Sequence, residues 1–258
     1  MPRPVNVLMV GAGSFFTNSV LKDVILIPDN VGGELRLVDI DPERLALTER
    51  LIHKILGEVG QDHKWTVVAD TDRRKLIPGI DYLINSIEVS GVECVRFDND
   101  IPLEFGVSQN IGDTIGPGGL MKALRTVPVF LDILRDVREL APKAVVMNYT
   151  NPMNVLCLAA ARAVPEVPVV GLCHSVQGTG RMLAGYANVP YEQVQWKCAG
   201  INHLAWFTEF NGPDGGSLYP TLMAQAEDRD SAFSREEPVR TDMMRHFGAF
   251  ITESSGHL

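Results

Sequence analysis

Two hydrophobic rhythms alternate along the first part of the chain. Short continuous runs of aliphatic and β-branched residues fall at 5–10, 34–40, 65–69, 82–87, 144–149 and 167–172. Between several of them, apolar residues recur mostly every three or four positions, over 15–27, 42–59, 119–140 and 154–163. The first rhythm predicts strands buried on both faces, and the second predicts amphipathic helices. Pro42 stands at a helix N1 position, and Pro128 predicts a bend or interruption in the long helical stretch. Apolar strands separated by helices call for a parallel sheet covered on both sides. The predicted fold class is therefore α/β, a Rossmann-like doubly wound parallel sheet of the lactate/malate dehydrogenase kind.

Beyond residue 190 the pattern changes. Residues 193–210 read as one or two long strands, and Asn211 to Gly216 as a turn. The segment 225–242 is charged and weakly patterned, which predicts a surface loop or linker. Residues 243–258 read as the start of a helix and a loop, with no closing element. The expected organisation is a dinucleotide-binding domain over 1–190. Over 191–258 it is the beginning of a second, α+β substrate and metal domain, left incomplete.

Composition narrows the function classes. At 258 residues, with 45% hydrophobic and 21% charged residues, the chain can bury a sizeable core without disulfides. A net charge of −9 excludes nucleic acid or an anionic membrane as the main partner. No apolar run reaches the roughly 18 residues of a membrane span, and the N-terminal run is too short for a signal peptide. The expected location is the cytoplasm. Four scattered cysteines make no secreted framework, so a special one would be a ligand or reactive thiol.

The candidate chemistry begins with Gly11-Ala12-Gly13-Ser14, which follows a strand and opens a helix, while Asp39 ends the next strand. The first glycine permits a tight turn, the second admits a pyrophosphate, and the helix start supplies N–H donors. Asp39 would accept hydrogen bonds from ribose hydroxyls and repel a 2′-phosphate, which favours NAD over NADP. Phe16 replaces the third glycine of the fingerprint. A strand-to-helix turn without ligand is the alternative.

Near the ends of later strands stand Asn148 to Met153, Cys173-His174 and Asn202-His203, where ligands of open α/β sheets bind. A thiolate and an imidazole completed by oxygen ligands would hold a divalent ion such as Mn2+, with Cys173 rather than His174 as the thiolate-side ligand. A buried inert cysteine and a structural histidine account for the same residues. Asp113, in a glycine-rich loop before the long helix, is either a helix cap or an acid/base. Arg125 is either a binder of substrate hydroxyls or a solvated helix residue. His53 and His63 read as surface residues, and His246 and His257 fall in the tail.

Taken together, GAGSFF at 11–16, LVDID at 37–41, GPGGLMKALRTVP at 116–128, NYTNPMNV at 148–155, GLCHSVQGT at 171–179, CAGINHLAWF at 198–207 and TESSGHL at 252–258 resemble glycoside hydrolase family 4, the NAD- and Mn2+-dependent glycosidases. The resemblance is nearest to the α-galactosidase branch, with α-galacturonidases and α-glucosidases as relatives. It implies hydrolysis of small α-galactosides or related α-glycosides: NAD+ takes hydride from C3, a metal-bound ketone makes the C2 proton acidic, the aglycone is eliminated, water adds, and hydride returns. By the same resemblance, Cys173 and His203 hold the metal, and Asp113, Cys173 and His174 are catalytic. Gly11, Gly13, Ser14, Phe15, Asp39 and Asn148 bind the cofactor, and Arg125, Asn151 and Asn202 bind the sugar. The C2 base of relatives comes from near or beyond residue 258, so the chain is expected to be C-terminally truncated. The resemblance also implies a dimer or tetramer. The rivals are a 2-hydroxy-acid dehydrogenase and a truncated NAD-binding fragment without activity.

Overall fold

The computed structural model describes residues 3–253 and divides the chain into two compact units. The first comprises Met1–Val107 and Gly112–Leu172, the second Ser108–Ile111 and Cys173–Leu258.

In the first unit, six strands form one parallel sheet: β1 (Val5–Val10), β2 (Gly33–Val38), β3 (Trp65–Asp70), β4 (Tyr82–Asn85), β5 (Val145–Asn148) and β6 (Val169–Gly171). Their order is β3-β2-β1-β4-β5-β6, the doubly wound order of dinucleotide-binding folds. The helices are α1 (Phe16–Ile25), α2 (Pro42–Glu58), α3 (Arg73–Leu76), α4 (Glu93–Glu104), α5 (Gly116–Leu140) and α6 (Met153–Ala163).

The strands are predominantly apolar because each face meets helices. Along β1, Val7 and Met9 join a cluster with Leu21 and Ile25 of α1 and Ile52 and Leu56 of α2. The alternating residues Leu8 and Val10 join Phe130, Leu134 and Val137 of α5 and Leu156 of α6. The register aligns Val38, Val10, Asn85, Asn148 and Gly171 in one row. The loops that follow all leave from that edge, and the order reverses between β1 and β4, where a ligand crevice forms.

Two features of this unit differ from expectation. Helix α5 runs unbroken through Pro128, which is exposed while Thr126 and Phe130 beside it are buried against the core. Helix α4 was not foreseen, because its buried position is Asp98 rather than an apolar stripe.

In the second unit, β7 (Gln195–Ile201), β8 (Leu204–Asn211) and β9 (Phe250–Ile251) form an antiparallel sheet in that order. With them go α7 (Ser175–Tyr186), α8 (Tyr219–Glu227), α9 (Ala232–Glu236) and α10 (Pro238–Phe247). The surface loop expected over 225–242 is instead largely helical. Phe233 and Met244 are fully buried with Phe207, Phe210 and Phe250. One of the charges that suggested a loop turns inward: Arg240 is buried, pairs with Glu237 at 2.7 Å and donates to Thr179 Oγ1 at 3.1 Å. The tail expected to lack a closing element supplies β9, the third strand of the sheet, whereas Ser254–Leu258, including His257, lie outside the described residues.

Helix α7 also packs here, through Leu183 and Ala184, so the division by packing falls between Leu172 and Cys173. No described helix is long and apolar enough to cross a membrane.

Phe233→Ala should lower the unfolding free energy by about 3–5 kcal/mol in chemical denaturation, as expected for a buried aromatic. A loss no larger than that of an exposed substitution would show that α9 is not docked.

Candidate functional site

Each unit carries its own constellation. In the first, Gly11 follows β1 with φ +82°, and a Cβ there would stand 2.7 Å from the carbonyl oxygen of Ser86. Gly13 is excluded from bearing a side chain by a different neighbour: its Cβ would lie 2.8 Å from Asp39 Oδ2. The Gly13 N–H donates to that oxygen at 2.7 Å, and the Asp41 N–H donates to Oδ1 at 3.0 Å. Asp39 is therefore fixed at the carboxyl edge, one residue beyond β2. Ser14 Oγ accepts from the Phe16 N–H at 3.2 Å, and the Phe15 side chain is 92% exposed. Phe16, in place of the third glycine, meets Tyr149 edge-on with ring centroids 4.9 Å apart.

At the ends of β4 and β5 the polar residues are tied to one another. Asn85 Nδ2 donates to Asn148 Oδ1 at 2.8 Å and to Thr150 Oγ1 at 3.2 Å, and Asn148 Nδ2 donates to the Thr150 carbonyl at 2.9 Å. Asn148 is fully buried, so its amide orders this edge from within.

Asn151 Nδ2 donates to Asp113 Oδ2 at 2.9 Å. The N-cap position of α5 is Ile115, two residues after Asp113. Arg125 forks onto Asp98 of α4 at 2.9 and 2.6 Å, so its guanidinium is paired while its side chain stays partly exposed.

In the second unit, Cys173 Sγ, a ring nitrogen of His203 and a carboxylate oxygen of Glu253 lie within 4.8 Å of one another. His203 Nε2 and Glu253 Oε2 are 3.4 Å apart. The local backbone explains the convergence. Asn202 and His203 form the two-residue turn of the β7–β8 hairpin, with His203 at φ 62°. Gly200 lets the strands close, since a Cβ there would stand 2.6 Å from Ala205 Cα. Thr252 then binds back to Ala205, donating its N–H to the carbonyl at 2.7 Å and accepting the Ala205 N–H on Oγ1 at 3.2 Å. This anchors Glu253, at φ 75°, next to His203. Two non-glycine residues in the left-handed region cost of order 1–3 kcal/mol each, the kind of strain that concentrates at functional sites.

Burial, the largest influence, pushes the Cys173 thiol up, but hydrogen bonds from His203 and Ser175 outweigh it and hold the group below its ordinary range. Ser175 Oγ lies 3.1 Å from the sulfur. Burial raises Cys157 and Cys198.

A thiol, imidazole and carboxylate can form a nucleophilic relay or a metal site. In a relay the imidazole stands between the other two. Here sulfur and carboxylate are also near each other, a closed triangle. Ligands bound about 2.0–2.3 Å from one ion lie roughly 3.3–3.8 Å apart, so small side-chain adjustments close this set around a cation.

Of the residues expected from sequence, Cys173 and His203 are brought together, His174 is exposed at the head of α7, and Asn202 is buried in the hairpin turn. Glu253 was missed, because a two-residue strand gives no periodicity to place the acid that follows it.

The model of the family described as "Family 4 glycosyl hydrolase" matches residues 6–189, and that of the "Family 4 glycosyl hydrolase C-terminal domain" matches residues 198–258. An α-galactosidase of Rhizobium meliloti (strain 1021) is 35% identical over 254 residues, covering 98% of this chain and 51% of the relative. An α-galactosidase of Bacillus subtilis (strain 168) is 36% identical over 254 residues, covering 97% and 57% respectively. The crystal structure of a 6-phospho-α-glucosidase from gut microorganisms in complex with NAD and Mn2+ superposes with a TM-score of 0.84 at 25% identity, covering 98% of this chain and 60% of that one. The chain spans about half the length of the curated relatives it matches.

Alkylation by iodoacetamide, followed by peptide mapping across pH, tests the cysteine environments. Cys173 should react at lower pH than an ordinary thiol, and Cys157 and Cys198 only at higher pH, because the thiolate is the reacting form. His203→Asn should move the Cys173 midpoint upward. Coincident profiles for all three thiols would contradict this geometry.

Proposed function

The chain belongs to the family 4 glycosyl hydrolases, and on that premise we propose that it cleaves O-glycosidic bonds of small α-galactosides or related α-glycosides, with NAD and Mn2+ as cofactors. The observation that carries the reading is the closed cluster of Cys173, His203 and Glu253. Its mixed donor set suits a divalent cation, and three protein ligands leave positions open for substrate oxygens. NAD fits the turn of Gly11–Ser14, where the fixed carboxylate of Asp39 would accept the adenosine ribose hydroxyls. The α-galactosidase relatives are the ground for the sugar class.

When bound, the cation supplies a Lewis acid and NAD supplies a hydride acceptor. The chain's own residues hold and orient. Cys173, His203 and Glu253 would grip the cation, and Asn202 supports the turn that presents His203. Asn151 binds a sugar hydroxyl while holding Asp113, which moves a proton as acid/base. His174, exposed at the start of α7, offers a second titratable group. Asn148 fixes the edge on which the nicotinamide rests. Arg125, held by Asp98, presents the remainder of its guanidinium to the substrate.

Under reducing conditions, the chain with NAD and Mn2+ should release p-nitrophenol from p-nitrophenyl α-galactoside. Cys173→Ser should weaken Mn2+ binding, measured by electron paramagnetic resonance, about tenfold while leaving NAD affinity unchanged, since a neutral hydroxyl replaces an anionic thiolate. NADH consumption with pyruvate or oxaloacetate, without glycoside cleavage, would replace the proposal with a 2-hydroxy-acid dehydrogenase. NAD binding with neither activity would leave a cofactor-binding module.

A further inference from the structure

The turn after β1 engages nearly all of its own amides. Gly11 and Ala12 donate to the Val38 carbonyl at 3.0 and 2.9 Å, Ser14 to the Gly11 carbonyl at 3.0 Å, and Thr17 to the Ser14 carbonyl at 3.1 Å. Gly13 donates to Asp39 and Phe16 to Ser14 Oγ. A glycine turn at a helix start ordinarily offers such amides to a pyrophosphate. With those amides engaged internally, a side-chain cation beside the turn would strengthen dinucleotide binding.

Arg44 is placed to provide it. Its Cβ lies 2.9 Å from the point a Gly13 Cβ would occupy, and Asp39 Oδ2 lies 2.8 Å from the same point. The arginine stem therefore flanks both the turn and the ribose-reading carboxylate. The first turn of α2 is fixed by Asp41, whose Oδ1 accepts the Glu43 and Arg44 N–H groups at 3.0 and 3.1 Å. Arg44 is exposed, and its guanidinium has no hydrogen-bond or ion-pair partner among the described residues. Arg50, Arg138 and Arg162 of the same unit are likewise unpaired among the described residues, so what distinguishes Arg44 is its position beside Gly13 and Asp39.

We propose that Arg44 is a second cofactor-reading residue, which binds the adenosine-ribose edge of the dinucleotide beside Asp39 and forms a latent receptor for a 2′-phosphate. The inference rests on the NAD reading above. Asp39 repels a 2′-phosphate, whereas a guanidinium donates to ribose oxygens and pairs with phosphate through two parallel N–H groups. Preference for NAD then comes from the carboxylate overriding a cation already in place, so NADP use is one substitution away.

Calorimetric titration of the chain with NAD, ADP-ribose and NADP tests this. Arg44→Ala should weaken NAD and ADP-ribose alike, about three- to tenfold, as loss of a charge-assisted bond at an exposed site would. Arg44→Lys should retain part of the affinity. Asp39→Gly should gain NADP binding, and adding Arg44→Ala should remove at least tenfold of that gain. If Asp39→Gly does not fold, the Arg44 variants carry the test alone, because their side chain makes no internal bond. Unchanged NAD and ADP-ribose affinities in Arg44→Ala, or a loss confined to NAD, would overturn the inference while leaving the cofactor reading intact. A natural chain that binds no NAD would overturn both.

Discussion

The parallel register of the six-stranded sheet is the constraint on which the first unit depends. Because Val38, Val10, Asn85, Asn148 and Gly171 stand in one row, the loops after five strands leave from the same edge. A shift of one residue in any pair would send the following side chain to the opposite face. The two apolar clusters forbid such a shift, since Leu8 and Val10 would trade places with Val7 and Met9. Burial in the core thus fixes the position of polar groups that contribute nothing to the core. The Asn85–Asn148–Thr150 network adds a second lock, because fully buried amides must keep their partners.

The second unit positions its donors differently. Cys173 begins it, His203 sits at the tip of a hairpin, and Glu253 follows a strand of two residues. No single element carries the cluster. It depends on the pairing of β8 with β9 and on the two bonds between Ala205 and Thr252. Those bonds are supported by helices α8 to α10, whose buried Phe233 and Met244 share one cluster with Phe207 and Phe250. The helices far along the chain from Cys173 and His203 are therefore what makes the third donor available.

Much of the first unit was legible in the sequence because its physics is periodic. Mostly apolar strands and helices with apolar spacings of three and four announce a doubly wound sheet, and Gly11, Gly13 and Asp39 announce the turn. The second unit was less legible. Its helices carry charges that pair internally, as Arg240 does with Glu237 beneath the ring of Phe250, and sequence cannot separate such charges from solvated ones. Cys173 and His203 were identified as a pair by motif, but Glu253 required the β8–β9 pairing, a contact spanning more than forty residues. The bond between Asn151 and Asp113 joins residues 38 positions apart, a contact that the loop sequence around Asp113 does not announce.

The glycine turn illustrates how one residue type answers two demands. Gly11 is needed for its left-handed backbone and for the approach of Ser86, whereas Gly13 is needed only for the space taken by Asp39 and Arg44. The usual account of the second glycine gives that space to a pyrophosphate. In this chain the space belongs to a carboxylate and an arginine stem, so the same glycine that shapes the turn also sets how closely Asp39 and the Arg44 stem approach it. A side chain at position 13 would displace Asp39 before it touched any ligand. On the proposed reading, cofactor affinity and cofactor selectivity are coupled through a single missing Cβ.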